Sequence, residues 1–290
     1  MGAAKAERVA PRARRPDPFM TRRAFLVSAP SALAGFVAGR WALREGVPPL
    51  AGEVDVAQAY HQWSKPGYLG LLGTALNWGQ PLSPYKTYPG QPRVPLPKGP
   101  ATGGLSVEEA ILRRRSQRDF TDKPLSLSNL SHLLQMAAGI TEPSYPLRAA
   151  PSAGALYPIE IYVVVSRVEG LPPGIYHFEV WKHTLEVLRE GDFRLPMVAA
   201  AVGQDMPGEA AVTFVLSGIF QRTRWKYRER AYRYVLLEAG HIGENLYLAS
   251  TSLGLGCVAI GAFFDDQVND LLDLDGAAEA ALYLLCVGHV

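Results

Sequence analysis

The sequence predicts an α+β fold, and three observations carry that expectation. Short β-branched runs, of which Ile159–Val165 is the purest, are spread unevenly among helical segments instead of alternating with them one for one. A single long amphipathic segment over 229–252 stands in the middle of the strands. No Gly-x-Gly-x-x-Gly follows the first strand, so the dinucleotide signature of a doubly wound parallel sheet is absent.

The elements follow in order. Residues 46–104 are rich in Pro, Gly, Tyr and Trp with little helical period, and read as an arm that packs on the domain, with a short helix near 54–63. Regular structure begins at Ser106, which with Glu109 forms a capping-box pattern and opens a helix over 106–116. Ser126 or Ser128 caps a second helix, whose Leu130, Leu133, Leu134 and Ala137 share one face. A strand over 159–166 comes next, then a hairpin from 174–180 and 184–189, a short helix over 195–202 and a strand over 211–220. In the long helix Tyr232, Val235, Leu236, Ala239, Ile242, Leu246 and Leu253 recur at steps of three and four. A strand over 257–263, a helix over 265–272 and a strand over 281–287 close the domain.

Composition narrows the function classes. Of 290 residues, 48% are hydrophobic and 19% charged, as in a soluble globular protein. The net charge of +2 hides a split: residues 1–44 hold nine Lys/Arg against two Asp/Glu, and the remainder is net acidic. A basic leader is no nucleic-acid face, so no nucleic-acid partner is expected. Residues 1–45 instead resemble a twin-arginine export signal, with Arg22-Arg23 before a short apolar run interrupted by Pro30 and Arg40. That predicts an exported protein, periplasmic or membrane-associated, which passes through the twin-arginine machinery; without a working signal it would stay cytoplasmic. Cys257 and Cys286 lack zinc-type spacing and read as buried small hydrophobes, and no metal is expected. A disulfide between them stays open.

Four segments carry candidate chemistry. The stretch from Arg148 to Pro158 includes Pro151, Ser152, Ala153 and Gly154, whose small side chains leave main-chain amides bare for a flat ligand. A tight loop entering a core strand fits the same residues. Arg114, Ser116 and Arg118 lie in an arginine-rich box; the planar guanidinium fork suits phosphate, and cations also cap a helix C-terminus. Lys226 and Tyr227 sit in an arginine- and aromatic-rich run, where a lysine of lowered proton affinity would serve as a base; a salt-bridged helix start reads equally well. Gly254 and Gly256 punctuate a turn into a strand.

In chain order, the arginine box, the Pro151–Gly154 loop, the Lys226-Tyr227 run, Glu238-Ala239-Gly240-His241 and the Gly254–Gly256 turn resemble the SagB-type dehydrogenases, the azoline-oxidase branch of the FMN-dependent nitroreductase superfamily. The likeness covers about 105–290, with traces in the arm at 60–65 and 85–97. It implies an FMN-binding α+β sandwich with a mixed, mainly antiparallel sheet flanked by helices, FMN at a homodimer interface, and two-electron hydride transfer through flavin N5. Arg114, Ser116 and Arg118 would then hold the FMN phosphate, ribityl chain or pyrimidine edge. Pro151, Ser152, Ala153 and Gly154 would line the ring, and Gly254 and Gly256 would approach from the other side. Lys226 and Tyr227 would transfer protons, and His241 would be a core histidine bonded to main chain. The substrate would be a peptide azoline or a small acceptor such as a quinone or nitro compound; a non-catalytic flavin-binding partner in a modification complex is the alternative. Relatives of this kind often continue past the last strand with basic residues, and this sequence ends at Gly288-His289-Val290, so phosphate binding would be expected to depend more on the arginine box.

Overall fold

A computed structural model describes residues 55–65, 79–97, 104–145 and 147–290; the leader lies outside them. The chain divides into two units, 1–63 and 64–290. Of the first, the described part is helix α1 (Val56–Trp63), within which the Tyr60 and Trp63 rings meet edge to face.

The second unit is built on a seven-stranded sheet. Its strands are β1 (Arg93–Pro95), β4 (Ile159–Val165), β5 (Gly174–Glu179), β6 (Thr184–Glu190), β7 (Val212–Ile219), β8 (Gly256–Ile260) and β9 (Glu279–Gly288), in the order β1-β6-β5-β4-β7-β9-β8. Strands β2 (Ile140–Glu142) and β3 (Leu147–Arg148) form a small separate pair. Every ladder among the described strands is antiparallel. Parallel pairing among the described residues is confined to single bridges, Ser116 with Cys257 and Leu125 with Val168, in keeping with the expected mixed, mainly antiparallel sheet.

Helices cover both faces, which is why the central strands read as continuous apolar runs. Alternate residues of β4 face opposite ways. Ile159, Ile161, Val163 and Val165 join one core with α3 (Leu127–Ala138) and α7 (Ala231–Ser252); Tyr162 and Val164 join another with α4 (Arg194–Ala200) and α8 (Asp265–Leu272). Leu130, Leu133 and Leu134 of α3 are fully buried, each worth roughly 2 kcal/mol of apolar transfer. Ser126 caps α3, accepting from Asn129 N at 3.1 Å. Cys257 belongs to the first core and Cys286 to the second. Both are free thiols on neighbouring strands with side chains on opposite faces, and burial pushes the Cys286 thiol up to about 12.

Residues 93–95 of the 79–97 segment form edge strand β1, and the residues before them reach in to the inner strands. Lys86 Nζ bonds Glu279 Oε2 at 2.6 Å and Tyr162 Oη at 2.7 Å, while Tyr88 N donates to Glu186 Oε2 at 2.9 Å.

Helix α2 (Val107–Arg113) starts at Ser106 with both arms of the capping box made, but ends three residues before the expected boundary. Arg114 turns to extended backbone so that Ser116 and Gln117 can pair with Cys257 beside β8. The long helix likewise starts at Ala231 rather than 229. A separate helix α6 (Gln221–Tyr227) precedes it, and the two are parted by a single 3-10 turn whose first residue, Arg228, has φ 50°. Short helix α5 (Met206–Glu209) completes the set.

Candidate active site

The Pro151–Tyr157 loop enters β4 through unusual backbone. Gly154, Ala155 and Tyr157 have φ of 69°, 54° and 47°. Left-handed non-glycine residues each cost on the order of 1–3 kcal/mol, and such strain concentrates at functional sites. Bonds within the loop hold the shape: Tyr157 N donates to Ser152 Oγ at 2.9 Å, and Arg148 N donates to Tyr157 Oη at 3.1 Å. Pro151 and Gly154 are exposed, with Ser152 and Ala153 half-buried, so the loop presents backbone and little side chain outward.

Helix α6 brings Lys226 and Tyr227 to this loop. A Cβ placed on Gly154 would stand 2.7 Å from Tyr227 Oη and 2.8 Å from Lys226 Nζ. An ammonium and a phenol therefore share the space that only a glycine leaves open. Two neighbouring side chains thus converge on a loop backbone position that lies more than seventy residues earlier in the sequence.

Beneath the loop lies a buried charged layer that carried no assignment from the sequence. Glu238 of α7 is buried within hydrogen-bonding reach of Ser152 and faces Arg148 and Arg222. Burial outweighs those partners and pushes its carboxyl up to about 7. Arg148 donates to Pro84 O at 2.6 Å, lies over the Tyr157 ring at 4.6 Å, and leaves its Nε without a partner. Glu160 is buried on β4 between Arg222 and His177; burial alone would raise its pKa, but the His177 hydrogen bond and the Arg222 charge hold it at about 2. The available signal was a charge at a buried position: Glu160 interrupts a β-branched run, and Glu238 stands in the apolar stripe of α7, three residues after Val235 and four before Ile242.

Arg114, Ser116 and Arg118 gather at a second cluster with the glycine turn. Ser116 Oγ lies 3.0 Å from Tyr247 Oη, which accepts from Ala259 N at 2.8 Å. Tyr247 can therefore give its proton to Ser116, which keeps its own hydroxyl proton for a ligand. The Arg114 guanidinium lies over the Tyr247 ring at 5.2 Å, and exposed Arg118 makes a long 3.4 Å bond to Ser116 O. A Cβ on Gly256 would meet Gln117, Phe120 and Val290, so glycine is required for the box to approach β8. Gly254 has φ 68° and open space around it. His241 is exposed rather than in the core. It lies on the flank of α7, one turn after Glu238 and outside the buried stripe of Val235, Ala239, Ile242 and Leu246.

The predicted residues thus form two clusters, not one. Both lean on α7, at Glu238 and Tyr247, nine residues or about 13–14 Å apart along the axis. One end offers fork-shaped cations and a hydroxyl, the other a flat patch beside an amine and a phenol. That donor set fits a mononucleotide carrying an aromatic ring: phosphate at one end and ring at the other.

Comparison with known proteins agrees with the architecture. The chain is 36% identical over 185 residues to MJ1384 of Methanocaldococcus jannaschii, a protein named for the nitroreductases, covering 64% of this chain and 91% of that one. It is 29% identical over 178 residues to the microcin B17-processing protein McbC of Escherichia coli, covering 59% of this chain and 65% of that protein, so it spans less than two thirds of McbC. A crystal structure named for the nitroreductases, from Ralstonia eutropha, superposes with a TM-score of 0.61 at 27% identity over 74% of this chain and 97% of that one. The sequence profile described as the nitroreductase family matches residues 111–289, which take in both clusters, the sheet from β4 to β9 and the long helix between, and the chain belongs to that family.

Proposed function

We propose that this protein is an FMN-dependent oxidoreductase of the SagB-type branch, with its reacting centre over Gly154. The observation that carries the reading is the convergence of Lys226 Nζ and Tyr227 Oη on the one loop position without a side chain. Bound FMN would supply two-electron hydride exchange at N5. Arg114, Ser116 and Arg118 bind its phosphate and polar edge, and the Pro151, Ser152, Ala153 and Gly154 backbone supports the ring, with Gly254 and Gly256 leaving room for approach. Lys226 and Tyr227 hold or move the substrate proton at Nζ and Oη.

The likeness to a microcin-processing protein supports an azoline-containing peptide as oxidisable substrate, and small quinones or nitro compounds are the reducible alternative. A homodimer is part of the reading, supported by the exposed Leu236 and Leu237 beside Gly240 on the outer face of α7. Export as a folded, flavin-loaded protein through the twin-arginine machinery is the localisation proposed.

The test begins with the visible spectrum of purified protein and its bleaching by reductant and recovery on addition of acceptors. A protein that is colourless and cannot be reconstituted with FMN sinks the reading; a yellow protein inert to every donor and acceptor leaves a flavin-binding partner without turnover. Arg114→Ala and Arg118→Ala should each lower flavin retention, by about tenfold for a lost charge-assisted contact. Lys226→Ala should keep the flavin and slow turnover by about 100-fold, the usual contribution of one acid–base group.

A further inference from the structure

Lys226 and Tyr227 ride on a short helix that meets α7 through the Tyr227–Tyr234 ring pair. Helix α6 has seven residues, no side-chain N-cap bond, and a strained residue, Arg228, directly after it. Its buried members are Arg222 and Thr223, and Arg222 lies one turn before Lys226. The Arg222 Nη1 donates to Tyr157 O at 3.1 Å and to the Glu160 carboxylate. One guanidinium therefore grips the left-handed end of the candidate ring loop and strand β4 together, while its own backbone carbonyl accepts from Trp225 Nε1 at 2.8 Å.

This contact ends a longer buried chain. Glu160 Oε2 meets His177 Nε2 at 2.9 Å, His177 Nδ1 meets Glu186 Oε2 at 3.1 Å, and Glu186 takes Arg93 Nη2 at 3.0 Å and Tyr88 N at 2.9 Å. The side chains of Arg222, Glu160, His177 and Glu186 are 4% exposed or less. Buried ion pairs return little net stability, because desolvation cancels most of the attraction, and well-packed apolar residues often serve as well. What such a chain supplies is fixed geometry: the direction of each group is set by two neighbours, from the Tyr88–Arg93 edge through the sheet to the loop.

The geometry points to Arg222, held by Glu160 and backed by His177 and Glu186, as the positioning residue that sets Lys226 and Tyr227 against Gly154. The inference rests on the reading of Lys226 and Tyr227 as the proton-handling pair. Its own content is that the clamp acts on their placement, separately from stability and from flavin binding.

The test replaces the clamp with apolar side chains, as Arg222→Met combined with Glu160→Met, in the full chain. Three quantities are compared with wild type: flavin retention, kcat and KM for one donor–acceptor pair, and the rate at which acetic anhydride labels Lys226 relative to the other lysines, read by mass spectrometry in flavin-loaded and flavin-free protein. The expected double variant melts cooperatively and keeps its flavin. Its kcat falls about 100-fold, the penalty for an ångström-scale misplacement, with KM little changed, and its Lys226 labelling rate alone shifts. A folded double variant with wild-type kcat and wild-type Lys226 labelling overturns the inference, as does one that only melts lower. If the double variant does not fold, Arg222→Lys takes its place; it keeps the charge but exchanges the rigid planar guanidinium, whose Nη1 makes both contacts, for a shorter, flexible ammonium, and wild-type kcat there is equally damaging. Wild-type protein that binds no flavin would defeat the proposed function, and the labelling comparison in flavin-free protein would still decide the role of Arg222.

Discussion

Glu238 is a carboxylic acid that folding moves into the neutral range, and this gives it a measurable signature. Its ordinary value of 4.5 rises to about 7 because burial outweighs Ser152, Arg148 and Arg222. Between those two pH values the folded protein keeps a proton that the unfolded chain releases, so stability falls as pH rises through the window. The full cost, above pH 7, is roughly 3 kcal/mol. Glu238→Gln mimics the protonated form and should flatten this part of the pH–stability curve, leaving the variant the more stable of the two at pH 8. The difference between the two denaturation curves isolates Glu238 from His177, whose affinity for its proton is also raised, burial being outweighed by Glu160 and Glu186. A variant curve parallel to wild type would return Glu238 to an ordinary carboxylate. Gly154 makes the complementary case, since its φ of 69° penalises any side chain and an added methyl would collide with Lys226 and Tyr227. Gly154→Ala should cost about 1–2 kcal/mol in melting experiments and reduce turnover far more than stability. Of these two residues the sequence marked only the glycine. Glu238 showed only as a charge in the apolar stripe of α7, because the Ser152, Arg148 and Arg222 side chains that surround it lie far off in sequence and leave no local trace.

At the scale of elements, the legible features were those encoded within a few residues. The Ser106–Glu109 capping box is formed as the pattern implies, with Glu109 N donating to Ser106 Oγ at 3.1 Å and Ser106 N donating to Glu109 Oε2 at 3.3 Å. Ser106→Ala should destabilise the protein by about 1 kcal/mol, read as a lower urea midpoint with unchanged m-value. The boundaries that slipped were those set by distant partners. Helix α2 stops at Arg113 because Ser116 and Gln117 have strand partners at Cys257, some 140 residues away. Helix α6 was hidden in the run that opens the long helix, since Arg, Lys and Tyr side chains suit either reading. What separates it from α7 is the left-handed Arg228, which has no glycine to announce it.

For the molecule as a whole, one sheet carries two cores, because each strand's side chains alternate between faces that both need covering; the periods marked the strands and helices, and the helix-flanked sheet was implied by the family resemblance. Strand order was not legible: β1 from the Pro-rich arm closes one edge and β9 inserts between β7 and β8, pairings that depend on contacts far apart in sequence. The outer face of α7 raises the next question at this scale. Its inner stripe is buried against the sheet and α3, yet Leu237 is 60% and Leu236 43% exposed, with Gly240 beside them open to close approach. On α2, which packs against α7, Ile111 and Leu112 are also exposed. Helices with one buried and one apolar outer stripe are at home in the interior of an assembly, and the proposed homodimer would cover this face. Wild-type protein should sediment as a dimer, and Leu236→Glu with Leu237→Glu should sediment as a monomer, since two carboxylates per subunit would have to lose water without partners. Both side chains point away from the buried stripe that holds Glu238, so thermal unfolding of the monomer should stay cooperative, while its flavin retention reports whether the second subunit helps to close the site. A double variant that remains a dimer would move the interface to another face of the molecule.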